Sequence, residues 1–373
     1  MKKWIVFIII LIIAVIGFIS IKTEKDTPSA DGKPVVKIGV ILPLSGNTAF
    51  MGESTQHGML LAAGHLNSDK KFDYKFIFED NLGESKRTSV LANKLIRMDK
   101  VDAILSILDH NANIIAPLAS AKKVIHVGES WFPLYTKHKY NFNMAADLAK
   151  EARILAEYIK ENNASKVALL TMNASGTLGG ATLLRDEFKV QNIDVCADVT
   201  FNPGERDFKT IISKIERCSP DWYIVMSFAP EVNIIKKQIN ENVPREVFVS
   251  GMDLGGITDQ FPLFEGSVFP NLSELPTHLK EEYIQNYGST SEAFFTVGYE
   301  MLTFLTNAFE EVGRATNEKP SPDEVESYLA HLLATSGVAG IITQKNRHFA
   351  LPVELKTIKN GKMEVYFKYP NDR

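Results

Sequence analysis

The side chains of this chain that could do chemistry do not assemble into a catalytic motif. The 373 residues contain no GxSxG elbow, no GxxxxGKS/T loop and no HExxH pair, so the usual signatures of nucleophilic, phosphate-cradling and zinc chemistry are missing. SGTLGG at 175–180 is glycine-rich and precedes a helix, but it lacks the GxGxxG spacing that lets a backbone approach a pyrophosphate. His110 and His126 have no partner at ligand spacing, so no metal and no cofactor is expected. Cys196 and Cys218 are the only cysteines. They fall on a predicted strand and at the end of the following helix, where either a bridge in an oxidising compartment or two buried thiols would fit. The more informative stretch is VVKIGVILPLSGNTAFMGESTQHG at 35–58: a nearly uncharged β-rich run, a break at Pro43, a Ser-Gly turn and a helix start. A βα unit of this kind places its loop at the carboxyl end of a strand, where open α/β sheets bind ligands.

The rest of the chain repeats that unit. Strands are predicted at 74–80, 101–108 and 124–130, separated by helices over 84–99 and IIAPLASAKK. After a crossing near 144–148 a second series begins, with strands at 166–172, IDVCADVTF, 221–228 and 246–252 between amphipathic helices. Two successive βα series predict two doubly wound parallel-sheet lobes with right-handed crossovers.

Lys2 and Lys3 precede an apolar run from Trp4 to Ile19, followed by a charged segment. This reads as an export signal, placing the rest of the chain outside the cytoplasm. No good small-x-small cleavage site follows, so residues 1–21 are expected to stay as a membrane anchor, with 22–34 as linker; cleavage is the alternative. A formal net charge of −4 offers no clustered basic face for a nucleic acid.

Five segments then carry a family resemblance: IGVILPLSG, FEDNLGESKRTSVLANKLI, DAILSIL with IIAPLASAKKVIHV, GERDFKTIISKIERCSPDWYIV, and VGYEMLTFLTNAFEEVG. In this order and spacing, from about 35 to about 366, they resemble the solute-binding proteins of the type I periplasmic fold, in the leucine/isoleucine/valine-binding branch. The resemblance implies an α/β clamshell: two doubly wound parallel-sheet lobes joined by three crossing segments, binding rather than transforming a ligand. Lobe 1 would hold 35–145 plus 276–333, and lobe 2 146–275 plus 334–373. Closure would follow from a ligand that bridges the lobes and favours the closed state. An ABC permease would read that state from a monomer. A sensing module coupled to a membrane receptor is the alternative, and the polar ending YPNDR, with no signalling domain, favours transport.

Carried over residue by residue, the resemblance implies a ligand set with departures. The loop that holds the ligand carboxylate in amino-acid binders is Asp109-His110-Asn111 here, and an aspartate facing a carboxylate in a dry cleft costs on the order of several kcal/mol. The next loop is Glu129-Ser130-Trp131-Phe132. The aromatic residue that covers the ligand before a glycine is replaced by Leu178-Gly179. Phe228 matches the other family aromatic, and Asp253 in GMDLGG matches the acid that receives an ammonium. The implied ligand-binding residues are therefore Asp109, His110, Asn111, Ser130, Trp131, Phe132, Phe228 and Asp253. Carboxylates beside aromatic faces suit a small cation or amine, while an amide, a polyol or an unusual amino acid is also compatible. Plainer readings coexist: Asp109 as a helix cap pointing away, Trp131 and Phe132 as lobe core, Leu178 as packing.

Overall fold

The computed structural model describes residues 32–46, 48–66, 69–243, 248–251, 254, 258–288, 291–315 and 318–367. The expected anchor and Asp253 lie outside these residues, and among them no helix is long and apolar enough to cross a membrane.

The chain opens with β1 (Val35–Leu42), α1 (Ala49–Gly64), β2 (Asp73–Asp80), α2 (Ser85–Lys94), β3 (Ala103–Ile107), α3 (Asp109–Lys122), β4 (Ile125–Glu129) and β5 (Asn141–Ala146). These strands pair in parallel in the order β2-β1-β3-β4-β5. Ile38, Val40, Ile41 and Leu42 are all fully buried, as a parallel strand covered on both faces requires.

After β5 the chain enters a second body: α4 (Leu148–Glu161), β6 (Lys166–Met172), α5 (Ser175–Gln191), β7 (Asp194–Phe201), α6 (Lys209–Ile215), β8 (Trp222–Met226), α7 (Glu231–Asn242) and β9 (Phe248–Ser250). Asp147 caps α4 by accepting from the Lys150 N–H at 3.0 Å, and Ala152, Leu155 and Ile159 form its buried stripe. The four strands form an all-parallel sheet, β7-β6-β8-β9. A Cys196–Cys218 disulfide, Cα–Cα 6.1 Å, ties edge strand β7 to the turn after α6, resolving the open pairing in favour of the bridge.

β10 (Val268–Leu272) leads back to the first body through α8 (Thr277–Tyr287), α9 (Glu292–Val312) and α10 (Pro322–His331), then β11 (Ala334–Ser336), β12 (Ile341–Lys345) and β13 (His348–Leu351). β14 (Val353–Lys359) and β15 (Lys362–Phe367) complete a three-stranded antiparallel sheet with β10.

Here the strand pairing departs from the expected division. Residues 334–351 belong to the first sheet, which has eight strands in the order β11-β12-β13-β5-β4-β3-β1-β2. β13 runs parallel to β5, from His348 opposite Asn143 to Leu351 opposite Ala146. Buried Phe349 packs on Phe142 and Phe304, with ring centroids 6.1 and 4.4 Å away. The third crossing between the two bodies falls at Pro352, not near 333, because Phe349 needs the first core to bury it.

Candidate ligand-binding site

The two parallel sheets meet at the carboxyl ends of their strands. Trp131, just past β4, stacks on Phe228, just past β8, with centroids 5.6 Å apart and planes 26° from parallel. Both side chains are half-buried.

The loop carrying Trp131 is held by its own sheet. β3 is followed by Leu108, which has φ +76°, a left-handed conformation that costs a branched residue free energy and marks a tightly determined turn. That turn starts α3 at Asp109. The Asp109 Oδ1 accepts from the Ser130 hydroxyl and, at 3.1 Å, from the Phe132 N–H. The Ser130 carbonyl accepts from Asn143 Nδ2 at 3.0 Å, and Asn143 Oδ1 lies 2.8 Å from the buried Tyr135 hydroxyl. Glu129, 6% exposed, accepts from the Leu108 N–H at 3.3 Å. Burial, with Asp109 beside it, pushes the Glu129 carboxyl up to about 7.

Asp109 therefore neither caps its helix from outside nor stands free in the cleft: it anchors the Ser130–Phe132 loop. The structure does not bring its two neighbours to the same place. His110 is exposed, its Nε2 3.2 Å from the Gly83 carbonyl oxygen. Asn111 is fully buried: its Nδ2 donates to the Ile107 carbonyl at 2.9 Å, and its Oδ1 accepts from Asn81 and Thr88 at 2.9 and 2.7 Å. Those partners lie in the first body, so Asn111 braces α3 against β2 and α2.

The facing wall is the start of α5. A Cβ at Gly176 would lie 2.4 Å from Trp131 Cε3, and one at Gly179 would lie 1.7 Å from Phe132 Cζ. Both rings rest directly on helix backbone, which only glycine permits at these positions. Half-buried Leu178 brings no ring; the aromatic cover over Gly179 comes from Phe132 on the opposite wall. Behind Trp131 a cavity of about 20 Å³ is lined by Glu151, Leu155, Leu184, Met226, Gly251 and Pro270, among others. That is room for about one water molecule. Sequence reasoning singled out Trp131, Phe132 and Phe228, but it missed Glu129, Tyr135 and Asn143 as supports and Gly176 and Gly179 as the opposing face. SGTLGG, with three glycines in the first turns of a helix, was the available signal.

Among the described residues no group of three His, Cys, Asp or Glu side chains could hold a metal ion. Two parallel-sheet lobes that meet at their strand ends around an aromatic seat define a ligand-closing binding protein. A profile of periplasmic binding proteins matches residues 35–348, and the chain belongs to that family: it is a solute-binding protein, not an enzyme. It is 20% identical over 332 residues to the leucine-, isoleucine-, valine-, threonine- and alanine-binding protein of Pseudomonas aeruginosa, covering 82% of this chain and 84% of that one. A leucine-binding protein from Thermotoga maritima superposes with a TM-score of 0.77 at 22% identity, over 91% of this chain and all (100%) of that one. A solute-binding protein of an ABC transporter from Rhodopseudomonas palustris, solved with 3,4-dihydroxybenzoic acid, gives 0.76 at 18% identity, over 90% and 96%.

Proposed function

We infer that this chain is the extracytoplasmic solute-binding component of an ABC importer, tethered by residues 1–21 and acting as a monomer. It closes its two lobes over a small polar or amine solute and presents the closed form to a membrane permease. The observation that carries this reading is the family match over 35–348 on a chain whose two sheets meet at an aromatic seat. Trp131, Phe132 and Phe228 supply the ring faces, Asp109 and Ser130 the polar edge, and Asp253 the acceptor for an ammonium. Asp109 lies at the first-sheet edge, and a carboxylate with aromatic faces is ordinary chemistry for an amine.

A thermal-shift screen of the full chain against amines, amides, polyols and aliphatic amino acids tests this. A solute at 100 times its Kd stabilises the protein by about 2.7 kcal/mol. Stabilisation by an amine that is lost in Asp253→Ala supports the reading. A shift with leucine that Asp253→Ala leaves unchanged removes the amine preference, and a chain that co-purifies with a receptor instead of a permease replaces import with sensing.

A further inference from the structure

Two of the crossings between the bodies run side by side. The Ser273 N–H donates to the Pro352 carbonyl at 2.9 Å, and the Glu274 N–H donates to Glu354 Oε1 at 2.8 Å. Around them stand charged side chains drawn from both bodies. Lys280 on α8 and Glu292, the first residue of α9, belong to the first body. Glu354 and Lys356 lie on β14, which packs on α4 of the second body. Lys280 Nζ binds Glu292 Oε2 at 2.9 Å and lies 3.6 Å from Glu274 Oε1 in the crossing itself. The other oxygen, Glu292 Oε1, is buried and accepts no hydrogen bond among the described residues. Lys356, 3% exposed, faces it from the second body, with Nζ 3.8 Å from that oxygen and 4.0 Å from Glu354 Oε1. Burial raises the Glu292 carboxyl, but Lys356 and Lys280 outweigh it and hold the group below its ordinary range. Charges so far from water are little screened by salt, and parting them leaves each poorly compensated.

We propose that Glu292 and Lys356 form a latch across the hinge: their attraction is made in the arrangement that seats Phe132 on Gly179, and opening of the lobes parts it. Both are positioning residues for closure, and neither belongs to the two walls of the candidate site. This rests on the reading of the chain as a binding protein whose lobes close. A solute that needs the closed form binds in proportion to the population of that form. The latch therefore scales the affinity for every such solute by the same factor and leaves the choice among solutes to the walls.

The test is a cross-linking rate across the closed seat in the purified full chain, with no solute added. Phe132→Cys with Gly179→Cys places two thiols at touching positions, and the natural cysteines are already paired with each other. Under a fixed concentration of copper–phenanthroline as oxidant, the rate of the new disulfide follows the closed population. Adding Lys356→Met, which keeps the length and removes the charge, should slow that rate about tenfold. Lys356→Arg, which restores the charge, should keep it near the parent's. Glu292→Gln should slow it as Lys356→Met does, and it carries the test if the methionine variant does not fold. A rate that Lys356→Met and Glu292→Gln leave unchanged, one that Lys356→Arg slows as much as Lys356→Met, or a parent that forms no cross-link overturns the proposal. Slowed rates in a chain that no solute of the thermal-shift screen stabilises leave the latch standing and remove the import reading.

Discussion

The two walls of the inter-lobe space are built on opposite plans. The first-sheet wall is crowded: within residues 108–132 it carries a left-handed leucine, two carboxylates, a buried hydroxyl and two aromatic rings, tied together by hydrogen bonds. The second-sheet wall at the start of α5 is stripped, with Gly176, Gly179 and Gly180 in its first six residues. Each glycine costs a helix interior about 1 kcal/mol relative to alanine, and the rings seated on that backbone offset the cost. The first wall is thus fixed by side-chain hydrogen bonds, and the second contributes shape by leaving side chains out.

The contrast between the walls breaks most sharply at Gly179. Gly179→Ala puts a methyl 1.7 Å from Phe132 Cζ, and we expect a loss of about 3 kcal/mol of stability in the closed form, or opening of the lobes seen by small-angle scattering. Adding Phe132→Ala should restore most of it. A double-mutant cycle with no coupling would mean that the walls do not touch in solution.

Charge on the crowded wall is the next handle. Burial holds the Glu129 proton to about pH 7, whereas an ordinary glutamate releases it near 4.5. The native state therefore binds more protons than the unfolded chain in that window, and stability falls as pH rises from 4.5 through 7 and then levels. Glu129→Gln should remove this slope, leaving the variant roughly 3 kcal/mol more stable than the wild type at pH 8 and equal to it below pH 4.5. Glu300, raised to about 7 chiefly by burial and holding the Val338 N–H at 2.6 Å, lies away from this wall and keeps its own share of the slope. Denaturant titrations at a series of pH values read both.

A smaller effect is expected from Trp131→Ala. The ring is only half-buried, so about 2 kcal/mol is lost, less than for a fully buried tryptophan. The emptied slot between Gly176 and Phe228 should then take up indole, seen as a Tm rise absent in the wild type. Smallest is Asn143→Ala, which frees the Ser130 carbonyl and should cost about 1 kcal/mol. If import survives it unchanged, the loop does not depend on that support.

Much of the fold was legible because it is local. VVKIGVIL reads as a covered strand, and DFKTIISKI contains the helix Lys209–Ile215, since neighbours within a few residues set both periods. The third crossing was not legible: ATS, IITQK and HFAL are short strands, and nothing within them says that β13 will pair with a strand some 200 residues earlier. The site divided in the same way. That βα loops gather at the carboxyl ends of their strands followed from the alternation of strands and helices, while the family resemblance singled out those after β3, β4 and β8.

The sequence by itself determined the class of protein, through its family resemblance, and the two-sheet plan with its βα loops at one edge, because hydrophobic period and turn chemistry act over short stretches of chain. Only the tertiary structure decided what those loops do. Asp109 meets Ser130 and Phe132 across 21 and 23 residues, and the aromatic pair meets its glycines across more than forty residues. The direction of a hydrogen bond or the seat of a ring depends on which distant backbone arrives beside it, and no local pattern encodes that.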